Sequence, residues 1–551
     1  MNYLNVIKFI MVKILKVNLL SQPWFSFTLV GLAIGFSSYA FGFSRLQDAT
    51  KTALWWFLLP GGLLSLCQLI SGKSAARMWL IVCLIFGLDV AIQGVIRGFF
   101  GVNPQPIVIA EAVANTNLNE SLEFLQAQRW QILWSCIYFS CLVLIGVFGQ
   151  RAWINKNVYK NTNTKKNRWF SSVLLVSACL LHANPSMLGH EPFIRWGVVY
   201  LRYKQVNNEM SELIANRQNI WSKRNEFEVE LTNNKPSTVV IIIGESANRM
   251  NWGLYGYTRD TTYPLREAFD QLGGTSLIFK NAKSSRAFTL PSLRLALTPA
   301  NEQAPEIWNE TPDFLMLGKS AGYQTTWISN QPKNDGWVTS LSHLAETKIF
   351  LNSGNWRDSS SEDEDLIPIL ENQLKVKVSS KELIILHLLG QHFHYSLRCG
   401  KTPAVFSSVT DDAVMKLMVE NGRNKSTRQA RNDYDDATLC GARNISKLIQ
   451  IVAKERKDRQ VKILFFSDHG QEVGHFRDFA GHSEQDESGY TVPLFIWSNE
   501  KVKSLYSAHI DSKIYLDGLD NSIQTLLDIR SKWYTPAADF LSPRYQQRTS
   551  K

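Results

Sequence analysis

Side chains able to hold a metal ion stand directly after apolar runs at three places in this chain. Val239-Val240-Ile241-Ile242-Ile243 leads into Gly244-Glu245-Ser246, residues 383–389 lead into Gly390-Gln391-His392, and Ile463-Leu464-Phe465-Phe466 leads into Ser467-Asp468-His469-Gly470. Carboxylate oxygen and imidazole nitrogen are ordinary zinc donors. The segment Ser284-Ser285-Arg286-Ala287-Phe288-Thr289-Leu290-Pro291-Ser292 adds hydroxyls, and Thr289 is the candidate nucleophile. A threonine hydroxyl attacks poorly unless a base or a metal activates it. Zinc on Glu245, Asp468 and His469 leaves one tetrahedral position for the Thr289 oxygen, favours its alkoxide and polarises a phosphoryl oxygen.

Each residue also has a plain structural reading. Glu245 can cap a helix starting at Ser246, and the hydroxyls of 284–292 can cap another. His392 and His394 can be loop residues, and His475 and His482 surface histidines. Asp468-His469 is the hardest to explain that way, because two adjacent ligand-type residues at a strand end are rarely both structural. Gly470 gives the backbone room to turn. The part after residue 237 carries no Ser-His-Asp signature, Walker motif or dinucleotide fingerprint.

Short apolar runs bounded by Gly and polar residues suit fully buried parallel strands, and such sheets bind ligands at their carboxyl edge. From residue 237 strand-like runs alternate with helical stretches such as 434–454, which predicts an α/β domain with a mainly parallel sheet. Asn233-Asn234-Lys235-Pro236 marks its boundary. The acidic run Ser359 to Asp365 reads as a solvated loop.

The first third differs in kind. Apolar stretches of spanning length lie at about 24–43, 53–71, 78–99, 131–149 and 170–187, with Trp55, Trp56, Trp79, Trp134 and Trp169 near their ends. Asp89, Gln93 and Arg97 in the third are expensive in lipid; Asp89 is either buried between helices or beside water. Residues 1–22, the loop with Lys73 and Arg77, and the loop with Arg151, Lys156, Lys160, Lys165, Lys166 and Arg168 carry no acid, which puts them in the cytoplasm. Five spans then put everything after residue 190 outside. The start reads as an amphipathic surface helix, not a cleaved signal peptide. The organisation expected is a transmembrane domain over 1–190, an amphipathic surface helix and linker over 191–236, and a catalytic domain over 237–551. The formal charge of +11 sits largely in the cytoplasmic loops, so it argues topology and no nucleic-acid partner. Of seven cysteines, Cys399 and Cys440 alone fall in the outer domain, where they can pair.

Five spans followed by Gly-Glu-Ser, Thr-x-x-Ser, Gly-x-His and Ser-Asp-His-Gly resemble the phosphoethanolamine transferases of Gram-negative bacteria, in the alkaline phosphatase and sulfatase superfamily. The most specific parts are Val240 to Ser246 with Tyr255-Gly-Tyr-Thr-Arg259, and Phe465 to Gly470; Tyr434-Asp435-Asp436 also resembles the family. The resemblance implies a multi-pass inner-membrane protein with a periplasmic sulfatase-like domain. It implies a zinc ion on Glu245, Thr289, Asp468 and His469, with Thr289 also the nucleophile. His392 and His482 resemble histidines that bind the phosphoryl group or a second metal, and one of them protonates the leaving group. Thr116 and Glu120 resemble a lipid-headgroup pair, and Asn330 and Lys333 are further phosphate contacts. The implied donor is phosphatidylethanolamine and the acceptor a periplasmic glycan or lipopolysaccharide (lipid A, core sugar or glucan), with the protein a monomer. Ser285 and Leu295 stand where lipid A-modifying members carry cysteines, and Thr289 to Thr298 looks closer to members acting on other glycans. The rival readings are a phosphoglycerol transferase of the lipoteichoic acid synthase type, a membrane-bound sulfatase or phosphatase, and a non-catalytic assembly protein.

Overall fold

Val239 to Ile243 offer no polar face, and the strand they build is buried on both sides along its whole length. In the computed structural model the described residues are 38–39, 46–55, 58, 72–100, 109–110, 113, 124–125, 128–155, 165–331, 337–352, 361–376, 379–500 and 509–547. The chain divides into two units, 1–114 with 124–206 and 115–123 with 207–551.

In the first unit, α1 (Gly72–Phe100), α2 (Arg129–Asn155) and α3 (Lys165–Leu181) occupy the third, fourth and fifth expected spans. Two of them are long and apolar enough to cross a membrane, over Leu80–Gly98 and Arg129–Phe148, whereas the apolar part of α3 is the shorter Ser172–Leu181. Most of the expected span at 24–43 and most of that at 53–71 lie outside the described residues. Asp89 is buried, and its carboxylate accepts hydrogen bonds from Arg195 Nη1 at 2.8 Å and Trp196 Nε1 at 2.9 Å. Of the two readings offered for Asp89, burial between helices is the one found. Arg195 and Trp196 belong to α4 (Pro192–Ser222), the helix expected after residue 190.

In the second unit seven strands form one sheet: β1 (Ser237–Gly244), β2 (Thr275–Ile278), β3 (Gln324–Ser329), β4 (Thr347–Phe350), β5 (Lys381–His387), β6 (Gln460–Ser467) and β7 (Leu494–Ser498). Their order is β2-β7-β6-β1-β5-β3-β4. β1 is central and parallel to β5 and β6; β3 is parallel to β4 and β5, while β7 runs antiparallel to both its neighbours. α5 (Tyr263–Leu272), α7 (Leu366–Leu374) and α8 (Lys425–Glu455) cover one face, burying Leu265, Phe269, Leu370, Ile445 and Leu448 against Val240, Ile242, Ile384 and Phe465. α6 (Thr289–Ala296) carries the expected nucleophile.

Register places the chemistry. Ile243 pairs with His387, and Gly244 with Ser467, so three strands end level and release Glu245, the 388–392 turn and Asp468 side by side. The turn is stitched to β1 by Leu388 N donating to Ile243 O and Gln391 N to Glu245 O, both at 2.9 Å. Gly390 has φ +56°, and a Cβ there would stand 2.6 Å from Glu245 O. Gly470 is required for another reason, since its Cβ would meet Ser488 O at 2.2 Å. Cys399 and Cys440 are disulfide-bonded, tying the segment beyond the turn to α8.

Two expectations are corrected. No helix starts at Ser246, which has φ +59°; a left-handed residue ends the regular path of the chain, and Glu245 is therefore not a helix cap. The acidic run is not wholly solvated, because Asp363 is buried and accepts hydrogen bonds.

Candidate metal centre

Glu245, Asp468 and His469 are buried, and one ligand atom of each lies within 4.8 Å of the others. His469 Nε2 stands 3.2 Å from Glu245 Oε1 and 3.5 Å from Asp468 Oδ2. The half-buried Thr289, first residue of α6, places its Oγ1 3.0 Å from Glu245 Oε2 and 3.3 Å from His469 Nε2. Thr289 does not act as a helix cap; the residue before the helix is Phe288, which makes no side-chain capping bond. Four donors at about 2.0 Å from a common ion stand roughly 3.3 Å apart on a tetrahedron. The separations of His469 Nε2 from Asp468 Oδ2 and from Thr289 Oγ1, and of Thr289 Oγ1 from Glu245 Oε2, fit that spacing, while His469 Nε2 approaches Glu245 through its other oxygen, Oε1.

Two further observations fit a cation. Asp468 Oδ2 is buried with no hydrogen-bond partner, while Oδ1 accepts from the N–H groups of Ser246 at 3.0 Å and His469 at 2.7 Å. His469 Nδ1 lies 2.9 Å from Gly470 O, and donation there leaves Nε2 its lone pair for a metal. Burial drives the Glu245 carboxyl upward, but the hydrogen bond and charge of His469 outweigh it and hold the group well below the usual range. Burial, then the charge of Glu245, push Asp468 well above that range. Burial lowers His469, and the two carboxylates overcome it, raising it to about 9. The cluster thus competes for protons that a divalent ion would displace.

His482 and His392 border the cluster. The His482 ring lies 4.8 Å from that of His469 and stacks on Phe288 at 5.2 Å. Burial and then the charge of His469 hold it down at about 3, so it is neutral. The partly buried His392, on the turn after β5, is near enough for its charge to act on Glu245 and His482. Asn330 is buried, and its amide donates to Asp363 Oδ1 at 2.9 Å; no described contact links it to Thr289. Thr116, Glu120 and Lys333 lie outside the described residues. His475 pairs through Nε2 with Asn251 Oδ1 at 2.7 Å, a structural role. Sequence reading missed Ser246, Asp363, Tyr434 and Gln471, which hold the site without lining it. For Ser246, Tyr434 and Gln471 the only signal was proximity to the motifs, as in Gly-Glu-Ser and Tyr434-Asp435-Asp436, and Asp363 had none.

A family model described as sulfatase matches residues 237–529. Over 96% of this chain and 91% of the other, the sequence is 26% identical to phosphoethanolamine transferase EptC of Escherichia coli strain K12. The crystal structure of the C-terminal periplasmic domain of EcEptC from Escherichia coli, in complex with Zn, is 28% identical with a TM-score of 0.54, covering 59% of this chain and 91% of that one. The integral membrane protein lipooligosaccharide phosphoethanolamine transferase A from Neisseria meningitidis shares the fold over 93% of this chain and 97% of its own, with a TM-score of 0.61 at 18% identity.

Proposed function

This chain belongs to the sulfatase family, as one of its phosphoethanolamine transferases, and we propose that it moves phosphoethanolamine from phosphatidylethanolamine to a glycan or lipopolysaccharide of the cell envelope through Thr289. It is an integral membrane protein whose catalytic domain, 237–551, faces the periplasm. The five apolar stretches within 1–190 are read as spans, and 191–236 as surface helix and linker. Zinc is the metal the donor set fits, on Glu245, Asp468, His469 and Thr289.

The observation that carries this reading is the Thr289 hydroxyl 3.0 Å from Glu245 Oε2 and 3.3 Å from His469 Nε2, beside the bare Asp468 Oδ2. When bound, zinc supplies a Lewis acid that favours the threonine alkoxide and polarises the phosphoryl oxygen. The Thr289 hydroxyl gives its proton to a rim histidine as its oxygen attacks phosphorus, a P–O bond to Thr289 forms, and the P–O bond to the glycerol breaks. The diacylglycerol oxygen leaves with a proton returned by a rim histidine. Neutral His482 is suited to hydrogen-bond the phosphoryl group, which leaves His392 as the proton donor. An acceptor hydroxyl, or the O–H of an acceptor phosphate, then gives its proton to His392 as its oxygen attacks the same phosphorus, the P–O bond to Thr289 breaks, and the proton passes to the Thr289 oxygen. Two displacements replace one difficult exchange, and a lipid donor accounts for the membrane domain.

Purified full-length protein should be incubated with phosphatidylethanolamine or with phosphatidylglycerol, each labelled in the acyl chains. Labelled diacylglycerol from the first alone, with a phosphoethanolamine adduct on the peptide carrying Thr289, is expected. Release from phosphatidylglycerol instead, or undiminished release by Thr289→Ala, overturns the assignment.

A further inference from the structure

Ser246 touches both carboxylates of the centre. Its N–H donates to Asp468 Oδ1 at 3.0 Å and its hydroxyl to Glu245 Oε1 at 2.8 Å. Its carbonyl accepts from the Tyr434 hydroxyl at 2.6 Å, and Gln471 Nε2 donates to its Oγ at 3.1 Å. All of these residues are buried. The contacts sort the oxygens. Asp468 Oδ1 is occupied and Oδ2 is left bare; Glu245 Oε1 accepts from Ser246 and stands 3.2 Å from His469 Nε2, while Oε2 faces Thr289.

The backbone sharpens the point. Ser246 sits at φ +59°, a conformation glycine adopts without steric cost and other residues rarely do. A turn alone asks only for glycine. What serine adds at this position is the hydroxyl, and its acceptor is a carboxylate of the metal cluster. Gln471 fixes the direction of that hydroxyl, since its amide N–H must be met by the oxygen's lone pair, leaving the proton for Glu245.

We propose that Ser246 is a positioning residue of the metal centre: its hydroxyl fixes the rotation of the Glu245 carboxylate, holding its oxygens towards His469 and Thr289, while its N–H masks one oxygen of Asp468 and leaves the other to the ion. The proposal rests on the zinc reading of this cluster. It acts through Glu245 and Asp468, and Ser246 itself touches neither metal nor substrate.

The test is a zinc titration against a competing chelator on full-length, detergent-solubilised wild type, Ser246→Ala and Ser246→Gly, with thermal unfolding of each zinc-free protein alongside. Both substitutions remove the hydroxyl, while glycine also relieves the backbone. The expected result is 10- to 100-fold weaker zinc binding by both variants, on the order seen when groups supporting a metal ligand are removed, with zinc-free Ser246→Gly unfolding no earlier than Ser246→Ala. Wild-type zinc affinity in Ser246→Gly overturns the proposal, whether or not Ser246→Ala is weakened, because backbone strain would then explain any loss. Absence of zinc binding by the wild type overturns the zinc reading, and this proposal with it.

Discussion

Asp363 accepts the backbone N–H of Gly390 at 2.8 Å, and its other oxygen takes the N–H of Leu389 at 2.8 Å. A buried acid from the 361–365 segment thereby holds the tight turn that delivers His392 to the centre. Asn330 donates to the same carboxylate, which explains why an asparagine expected to bind phosphate is turned inward. Replacing Asp363 with Ala strands the buried N–H of Gly390, worth about 1–3 kcal/mol when left unsatisfied, and the partly buried N–H of Leu389. Asp363→Ala should unfold earlier by thermal melting and lose transfer activity, yet retain zinc, because none of its partners is a metal ligand. Loss of zinc together with activity would place Asp363 in the wrong part of the site.

Tyr434 acts on the other side of Glu245. Its hydroxyl donates to Ser246 O at 2.6 Å and accepts from Asn248 N at 2.7 Å, with the ring fully buried in α8. Tyr434→Phe keeps the ring and removes both bonds. The expected loss is about 1–3 kcal/mol in chemical denaturation, with a lower transfer rate. Unchanged stability would mean that water replaces the hydroxyl and that the loop after β1 is held by other contacts.

The sheet and the four-residue cluster were legible because both depend on local pattern. Apolar runs of strand length define β1, β5 and β6, and a ligand-type residue two or three steps beyond each run falls at the same sheet edge once the strands are in parallel register. The supports were not legible, because they come from distant segments: Asp363 lies 26 residues from Leu389, and Tyr434 188 residues from Ser246. An acidic run says nothing of which acid turns inward. The left-handed Ser246 was misread as a helix start for the same reason, since the contacts that hold its backbone come from Asp468 and Tyr434, far away in sequence. The Cys399–Cys440 pair stood open in the sequence for want of a known distance between them.

Metal removal tests the cluster as a whole. Two buried carboxylates with one imidazole between them lose their common counter-charge when the ion leaves, so the zinc-free protein should be less stable. A ligand bound to the native state alone stabilises by about 2.7 kcal/mol at a free concentration a hundred times its dissociation constant. Dialysis against a chelator should lower the melting temperature of the catalytic unit, and zinc should restore it. In Glu245→Gln and Asp468→Asn, added zinc should have a much smaller effect. An equal zinc response in both variants would place the ion elsewhere.

His387 gives a pH test. It is fully buried at the end of β5, and neither ring nitrogen has a hydrogen-bond partner among the described residues. Burial lowers it from the ordinary 6.5 to about 4. The unfolded chain therefore binds a proton near pH 6.5 that the native state refuses until about pH 4. The resulting stability is fully present above the unfolded value and is lost as pH falls from 6.5 towards 4. Between pH 7 and pH 5 this one group accounts for about 2 kcal/mol. His387→Leu makes no titrating group and breaks no hydrogen bond, so its stability should decline less than that of the wild type over the same interval. Equal declines in the two proteins would show that His387 is protonated in the native state and that its charge is met inside the fold.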